Sequence, residues 1–410
     1  MNVLWITNIE LPVPARTLGN DVVVGGWMDW SSQLLVQQEN INLCVMSRAQ
    51  NEYEIIINNI KYVGFHEKNF LHSFSNLVEI FRPDIVHIWG TEYVHSLKAI
   101  EYLKKINKVE NAILSIQGLV SVYPIHYYAY LPYKIIKRNS IYELIRKRGI
   151  VGSCKEMMTR GEYERRAIEI AKNCIGRTDW DRACIRQINP NIKYFFCNEI
   201  LRASFYSKQW NYDNCNREVI AFSQADYPIK GFHIMLEALC IVKKFFPDVK
   251  LQVVGNSPFE KKGLIDSIKK SSYMIYIKQL VEKNNLFENV EWMGKLNEEQ
   301  MVNHFLKANV FVCSSSIENS SNSIAEAMVL GVPVVVSDVG GIKSFIKHEE
   351  EGLIYQADAP YMLADCIMKL FINPKLASKY GCAARKRARV EHDEKYNTRR
   401  LLEIYSQLLK

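Results

Sequence analysis

The feature that most constrains this chain is a repeated alternation of short, unbroken apolar runs with longer amphipathic ones. In the first half the short runs are VLWIT (3–7), INLCVMS (41–47), DIVHIWG (84–90), NAILSIQG (111–118), NCIGRT (173–178) and IKYFFCNE (192–199). Helical periodicity occupies 26–39, 93–106 and 160–172. A strand with one wet face alternates apolar and polar residues. These runs do not, so they are expected to be buried on both faces. Strand, helix, strand in repetition predicts an α/β chain built on doubly wound parallel sheets.

The rhythm lapses at FYSKQWNYDNCNRE (205–218) and then restarts. VIAFSQ (219–224), KLQVVG (250–255), NVEWMG (289–294), NVFVCSS (309–315), VPVVVSD (332–338) and GLIY (352–355) read as strands, with helices at 231–245, 261–284, 297–307 and 323–330. Two Rossmann-like domains joined near residue 210 are the expected architecture, and 410 residues suffice for two separate cores. In open sheets of this kind ligands sit beyond the carboxyl ends of the strands, so the site is expected in a cleft between facing domains.

Composition narrows the class. Apolar residues are 48% and charged residues 23%, the balance of a soluble globular protein. No run approaches the roughly 18 apolar residues that span a bilayer. MNVLWITNIELP carries no basic leader and no cleavage site, and reads as the first strand instead of a signal peptide. The 10 cysteines show neither CxxC spacing nor a Cys/His cluster of the kind zinc requires, which suits reduced thiols in the cytoplasm. A net charge of +8 suggests an anionic partner. It is not gathered in one long basic tract, so nucleic acid is not expected.

Residues 314–341, SSSIENSSNSIAEAMVLGVPVVVSDVGG, hold the chemistry. A strand ends in serines, a small polar loop follows, and a helix begins near Ser323. Gly331 stops that helix, and Pro333 opens the next strand. The loop feeds a helix N-terminus, where unpaired amides and the helix dipole favour a phosphate. Glu318 and Glu326 flank it. Two readings stand at this point. Ser323 and Glu326 have the spacing of a capping box, with Glu318 a solvated loop carboxylate. Alternatively, both carboxylates face a ligand.

The stretch resembles the E-x7-E signature of retaining glycosyltransferases with the GT-B fold, in particular glycosyltransferase family 4. IKGF (229–232) resembles that family's Lys-Gly, and VEWMGKLNEEQMVNHFLKANVFVCSS resembles the segment before the signature. The resemblance implies a GT-B chain of two Rossmann-like domains facing across a cleft. Residues 1–205 would bind the acceptor, 206–390 the nucleotide-sugar donor, and the helix 391–410 would pack back on the first domain. Glu326 would bind ribose hydroxyls and Glu318 hydroxyls of the donor sugar. Lys230 would lie against the diphosphate, cradled by amides of Asn322, Ser323 and Ile324. Gly294 and Lys295 would face the base. The family usually carries an arginine five residues before the lysine. Ala225 stands there, leaving Ser223, Gln224 or another basic residue to contact phosphate.

In the first half, DVVVGGW (21–27) resembles the family's glycine loop, with Gly25, Gly26 and Trp27 near the diphosphate and acceptor. An ordinary tight turn is the plainer reading. Many members carry cleft histidines where Trp89 and Gln117 stand here, and His87 reads as a core residue. Gln117 can hydrogen-bond a sugar but cannot act as a base. Asp179-Trp180-Asp181 begins a helix, where Thr178 or Asp179 is a natural N-cap, so no metal is expected there. The resemblance implies transfer of a hexosyl residue from a nucleotide diphosphate sugar to a saccharide or lipid-linked hydroxyl. It implies retention of configuration, no metal and no other cofactor, with bacterial surface polysaccharide synthesis as the expected setting.

YYAYLPYKIIKRNSIYELIRKRG (127–149) concentrates Lys134, Lys137, Arg138, Arg146, Lys147 and Arg148 against Glu143 alone. It reads as a solvated face, a lid, or a piece resting on an anionic membrane surface. The expected location is cytoplasmic, peripheral to the inner face of a membrane in the last case.

Overall fold

A computed structural model describes residues 1–20, 25–146, 148–259 and 270–410. Asp21–Val24 of the glycine loop, Lys147, and 261–269 of the expected helix 261–284 lie outside the described residues. The chain divides into two compact units. The first comprises Met1–Val122, Met158–Ala203 and Glu391–Lys410, and the second Tyr123–Met157 and Ser204–Val390.

The first unit is built on β1 (Asn2–Thr7), β2 (Asn42–Arg48), β3 (Tyr53–Ile57), β4 (Ile60–Phe65), β5 (Ile85–Trp89), β6 (Ala112–Ser115), β7 (Asn173–Gly176) and β8 (Lys193–Phe196). They form one sheet in the order β3-β4-β2-β1-β5-β6-β7-β8. β1 shows why the runs do not alternate. Leu4 and Ile6 enter one core with Cys44, Met46 and Ile88, while Val3 and Trp5 enter the other with Leu43 and Val45. Both sheet faces are covered. The closing helix Glu394–Leu408 supplies part of the second cover, with Leu401, Ile404 and Tyr405 in that core. The Tyr405 hydroxyl accepts from Trp5 Nε1 at 3.0 Å and meets His87 Nδ1 at 2.6 Å.

The antiparallel pair β3–β4 is a hairpin that apolar runs alone did not reveal. β3 lies at the sheet edge with alternate residues exposed, so it lacks the continuous signature. Asn58 and Asn59 turn the chain with φ of 51° and 62°, the left-handed pair a tight hairpin needs.

The second unit carries β9 (Val219–Phe222), β10 (Lys250–Val254), β11 (Val290–Gly294), β12 (Val310–Cys313), β13 (Val334–Ser337) and β14 (Leu353–Tyr355). Their order is β11-β10-β9-β12-β13-β14, and every neighbouring pair is parallel. Reading outward from β9, the chain fills one side of the sheet and then jumps to β12 to fill the other. The carboxyl ends of β9 and β12 therefore flank the point where strand order reverses, the place such sheets bind ligands.

Chain order alone would leave residues 123–157 with the first unit. They pack with the second because specific polar groups hold them there. Glu143 accepts from the Ser272 amide (3.0 Å) and hydroxyl (3.1 Å), His233 Nε2 donates to the Ala129 carbonyl (2.7 Å), and Ser316 Oγ donates to the His126 carbonyl (2.9 Å). Among the described residues no helix is long and apolar enough to cross a membrane.

Candidate active site

The loops after β9 and β12 interlock. Beyond β9 the chain makes one tight turn, Pro228–Lys230, before the helix Phe232–Phe245. Gly231 joins them in the left-handed region (φ 65°), and a Cβ there would overlap the Ser314 carbonyl oxygen. Only glycine satisfies both demands. Ser314 Oγ donates to the Gly231 carbonyl at 2.9 Å, and the Ser316 amide to the Ile229 carbonyl at 2.7 Å. Lys230 is thus fixed from both sides by the end of β12.

Each serine after β12 has its own task. Ser315 Oγ donates to Glu318 Oε1 at 2.7 Å, and the same oxygen accepts from Lys230 Nζ at 2.6 Å. Ser337, at the end of β13, donates to the Ser315 carbonyl at 2.6 Å. The Glu318 backbone is held as tightly, since its carbonyl accepts from the Gly341 amide at 2.9 Å and presses on Gly340, where a Cβ would overlap it. The Gly-Gly turn thus clamps the loop that carries the glutamate. Burial alone would lower the Lys230 pKa, but the adjacent Glu318 carboxylate, together with Tyr227 and Cys313, outweighs it and holds the ammonium above its usual range.

The helix that carries Glu326 runs Asn322–Leu330. Its N-cap is Ser321 (φ −80°, ψ 117°), which makes no side-chain capping bond. Glu326 is then the fifth helical residue and cannot be the third-position partner of a capping box. The capping reading of Ser323 and Glu326 is not realised. Both glutamates are buried, Glu318 with 8% and Glu326 with 5% of its surface exposed, so neither is a solvated loop carboxylate. The Ser321 carbonyl accepts from the Ile324 and Ala325 amides at 3.1 Å each. The Ile324 N–H is thus already bonded within the first turn of the helix.

Other residues singled out in the second unit also stand at strand ends. Gly294 closes β11 with φ 67° and open space on its Cβ side, its carbonyl accepts from the Gly255 amide at 2.9 Å, and Lys295 beyond it is exposed. Ser223 and Gln224 follow β9 and are half-buried, with Gln224 Oε1 accepting from the Tyr227 hydroxyl at 3.2 Å. Ala225 is buried.

In the first unit Gly25 adopts φ 88° at the start of helix Gly26–Val36, a backbone requirement that explains a glycine by itself. Trp27 meets Trp89 edge-on at 5.4 Å between ring centres. Gln117 follows β6 beside a cavity of 30 Å³, also lined by Trp27, Trp89, Arg177 and Glu199. That is space for a water or two and not for a sugar ring, while Gln117 itself is half-buried. Gln117 Nε2 and Trp89 Nε1 are buried there without a partner. His87 is fully buried between Tyr405 and Ser115, as expected of a core residue. Thr178 caps the helix Asp179–Ile188, and the Asp181 carboxylate is occupied by the Arg177 amide and the Tyr194 hydroxyl.

Sequence reasoning missed the roles of Ser315, Ser316 and residues 123–157 at this site. The only signal was the run of three serines at a strand end, where a buried strand has no ordinary use for hydroxyls.

Residues 208–387 match the family model described as glycosyl transferases group 1. A putative glycosyltransferase, YtcC of Bacillus subtilis, is 26% identical over 206 residues, covering 50% of this chain and 48% of that protein. The chain spans about half the length of the curated relatives it matches. Among solved structures, sucrose-phosphate synthase from Thermosynechococcus elongatus superposes with a TM-score of 0.72 at 16% identity, covering 100% and 99% of the two chains. HepE from Anabaena, solved in complex with UDP, gives 0.70 at 13% identity, covering 99% and 100%. These likenesses identify the fold as GT-B.

Proposed function

We propose a reaction from one premise: residues 208–387 match the glycosyl transferases group 1 model, on a chain with the GT-B fold. The reaction is transfer of a hexosyl residue from a nucleotide diphosphate sugar to a hydroxyl of a saccharide or lipid-linked acceptor, with retention and without a metal. The observation that carries it is the Lys230–Glu318 contact of 2.6 Å at the reversal point of the second sheet. A UDP complex of a chain with the same fold supports a nucleotide donor, and synthesis of a surface polysaccharide is the proposed setting.

In this reading Lys230 neutralises the charge that grows on the departing diphosphate, assisted by amides of Asn322 and Ser323. Glu318, already accepting from Lys230 and Ser315, accepts from a hydroxyl of the donor sugar with its remaining lone pairs. Glu326 accepts from the ribose hydroxyls, and backbone near Gly294 and Lys295 faces the base. The sugar–oxygen bond to the diphosphate breaks as the acceptor oxygen bonds to the same carbon from the same face. The acceptor proton passes to the leaving diphosphate. Gly25, Gly26, Trp27 and Gln117 are assigned to the acceptor side.

Thermal unfolding with UDP, GDP and ADP tests the donor site, using the natural protein and Glu326→Gln. A nucleotide at 100 times its dissociation constant adds about 2.7 kcal/mol of stability. One nucleotide should raise the midpoint, and the substitution should abolish the rise. Binding without turnover of the matching nucleotide sugar would favour a second reading, a sugar-nucleotide-binding protein. The buried Ala225, in the place of the arginine that family members usually carry, is the observation behind it.

A further inference from the structure

The segment 123–157 contains a helix whose amphipathicity is inverted. In Ile141–Arg146 the apolar residues Ile141, Leu144 and Ile145 fall at i, i+3 and i+4, one stripe of a helix. All of them are exposed, by 69%, 63% and 77%. The charged residue between them, Glu143, is the one that is buried, capping the helix that begins at Ser272. A helix facing water would be turned the other way round. Ile125, Tyr130 and Tyr133 of the same segment are also exposed, by 78%, 57% and 66%.

Around this apolar set stand Lys134, Lys137, Arg138, Arg146 and Arg148, all exposed. Glu143, the one carboxylate of residues 125–146, is turned inward, so no acidic side chain of that stretch offsets these cations on its outward face. Lys137 lies 4.3 Å from the Tyr133 ring centre and Arg146 lies 4.7 Å from that of Tyr142, so the cationic heads stay beside the aromatic rings. Apolar and aromatic side chains flanked by lysine and arginine match the boundary of an anionic bilayer, where the chains enter the interface and the cations meet phosphates.

We propose that residues 125–146 dock the second unit on the surface of an anionic phospholipid bilayer. The segment is well placed to act as a platform for the candidate site. His126 accepts from Ser316, two residues before Glu318, and Ala129 is held by His233 of the helix that follows Lys230. Docking would hold the Lys230–Glu318 site close to the lipid surface, within reach of a lipid-linked hydroxyl. That last consequence rests on the transferase reading, whereas the docking itself does not.

Sedimentation with phosphatidylcholine vesicles, with and without phosphatidylglycerol, tests docking apart from any turnover. The natural full chain should sediment with the anionic vesicles and be released by raised salt. The triple substitution Ile141→Ser, Leu144→Ser, Ile145→Ser should lower binding at least tenfold. Lys134→Gln with Lys137→Gln should lower it by roughly fivefold for each cation removed. The unfolding midpoint without ligand controls for folding of the variants and should stay unchanged, because none of these residues is buried. No binding to anionic vesicles, or binding that the serine variant retains, overturns the proposal. So does a concentration-dependent dimer that the serine variant abolishes in the absence of vesicle binding, which would assign the face to a second copy of the chain.

Discussion

Lys230 and Glu318 show how far a single pair can be read from residue types, and where geometry adds something. Spacing and resemblance brought both residues to one site, but they were expected to act on a ligand. In the structure they also act on each other. The side chains are 21% and 10% exposed, and their charges balance. Removing one partner of a largely buried pair strands the other, at a typical cost of about 3–5 kcal/mol. Lys230→Met should therefore lower stability by about 3 kcal/mol, as Ser315 alone cannot compensate the Glu318 carboxylate. The double variant Lys230→Met, Glu318→Gln should recover most of that loss. These two variants and Glu318→Gln alone should each lose transfer by a factor of about 10² or more. Denaturant midpoints in a double-mutant cycle, beside turnover, check both halves. Equal midpoints for the single and double variants would remove the pair from the account of stability. The capping-box alternative for Glu326 could be decided only with coordinates, since a shift of the helix start by two residues separates the readings.

At the scale of elements, strands buried on both faces announced themselves and the edge hairpin did not. β3 shows one wet face, and its Asn58–Asn59 turn was the one local signal for it. The excursion of 123–157 was invisible for a different reason, because it depends on single polar contacts made far along the chain. Helix Ile150–Ile170, which leads back from that excursion, carries Glu164. This fully buried carboxylate accepts from Thr91 Oγ1 at 2.5 Å and from the Ser121 amide and hydroxyl at 2.9 and 2.7 Å. It thereby ties the helix to the loops after β5 and β6. Burial raises its pKa from 4.5 to about 7, against hydrogen bonds from Thr91 and Ser121 that lower it. Between those values the folded chain holds a proton that the unfolded chain has lost. Its contribution is complete below 4.5 and fades as pH rises through about 7. The natural protein's advantage in unfolding midpoint over Glu164→Gln should shrink across that window. A difference that is constant with pH would show that Glu164 is ionised throughout.

For the whole molecule, two groups of buried residues pull stability in opposite directions over the same pH range. Burial raises Asp29, like Glu164, to about 7, which favours the folded state at lower pH. Burial lowers His87 to about 3 and His233, His304 and His392 to about 4, from 6.5. Below 6.5 the unfolded chain takes up protons that the folded histidines refuse, so stability falls with pH until about 4 is passed. Among the described residues, the four histidines with the largest shifts oppose the two carboxylic acids with the largest shifts, and the histidines should prevail, placing maximum stability near neutrality. His392 offers the cleanest dissection, because its Nδ1 donates to the Glu199 carbonyl at 2.7 Å and a glutamine amide can do the same without titrating. Each proton taken up only by the unfolded chain steepens the dependence by about 1.4 kcal/mol per pH unit. His392→Gln should flatten the fall in denaturant-derived stability between 6.5 and 4 by about that slope. His392 lies next to the closing helix Glu394–Leu408, so hydrogen exchange in that helix should show the same loss of pH sensitivity. An unchanged slope would mean that His392 becomes protonated in the folded chain, with the Glu199 contact intact.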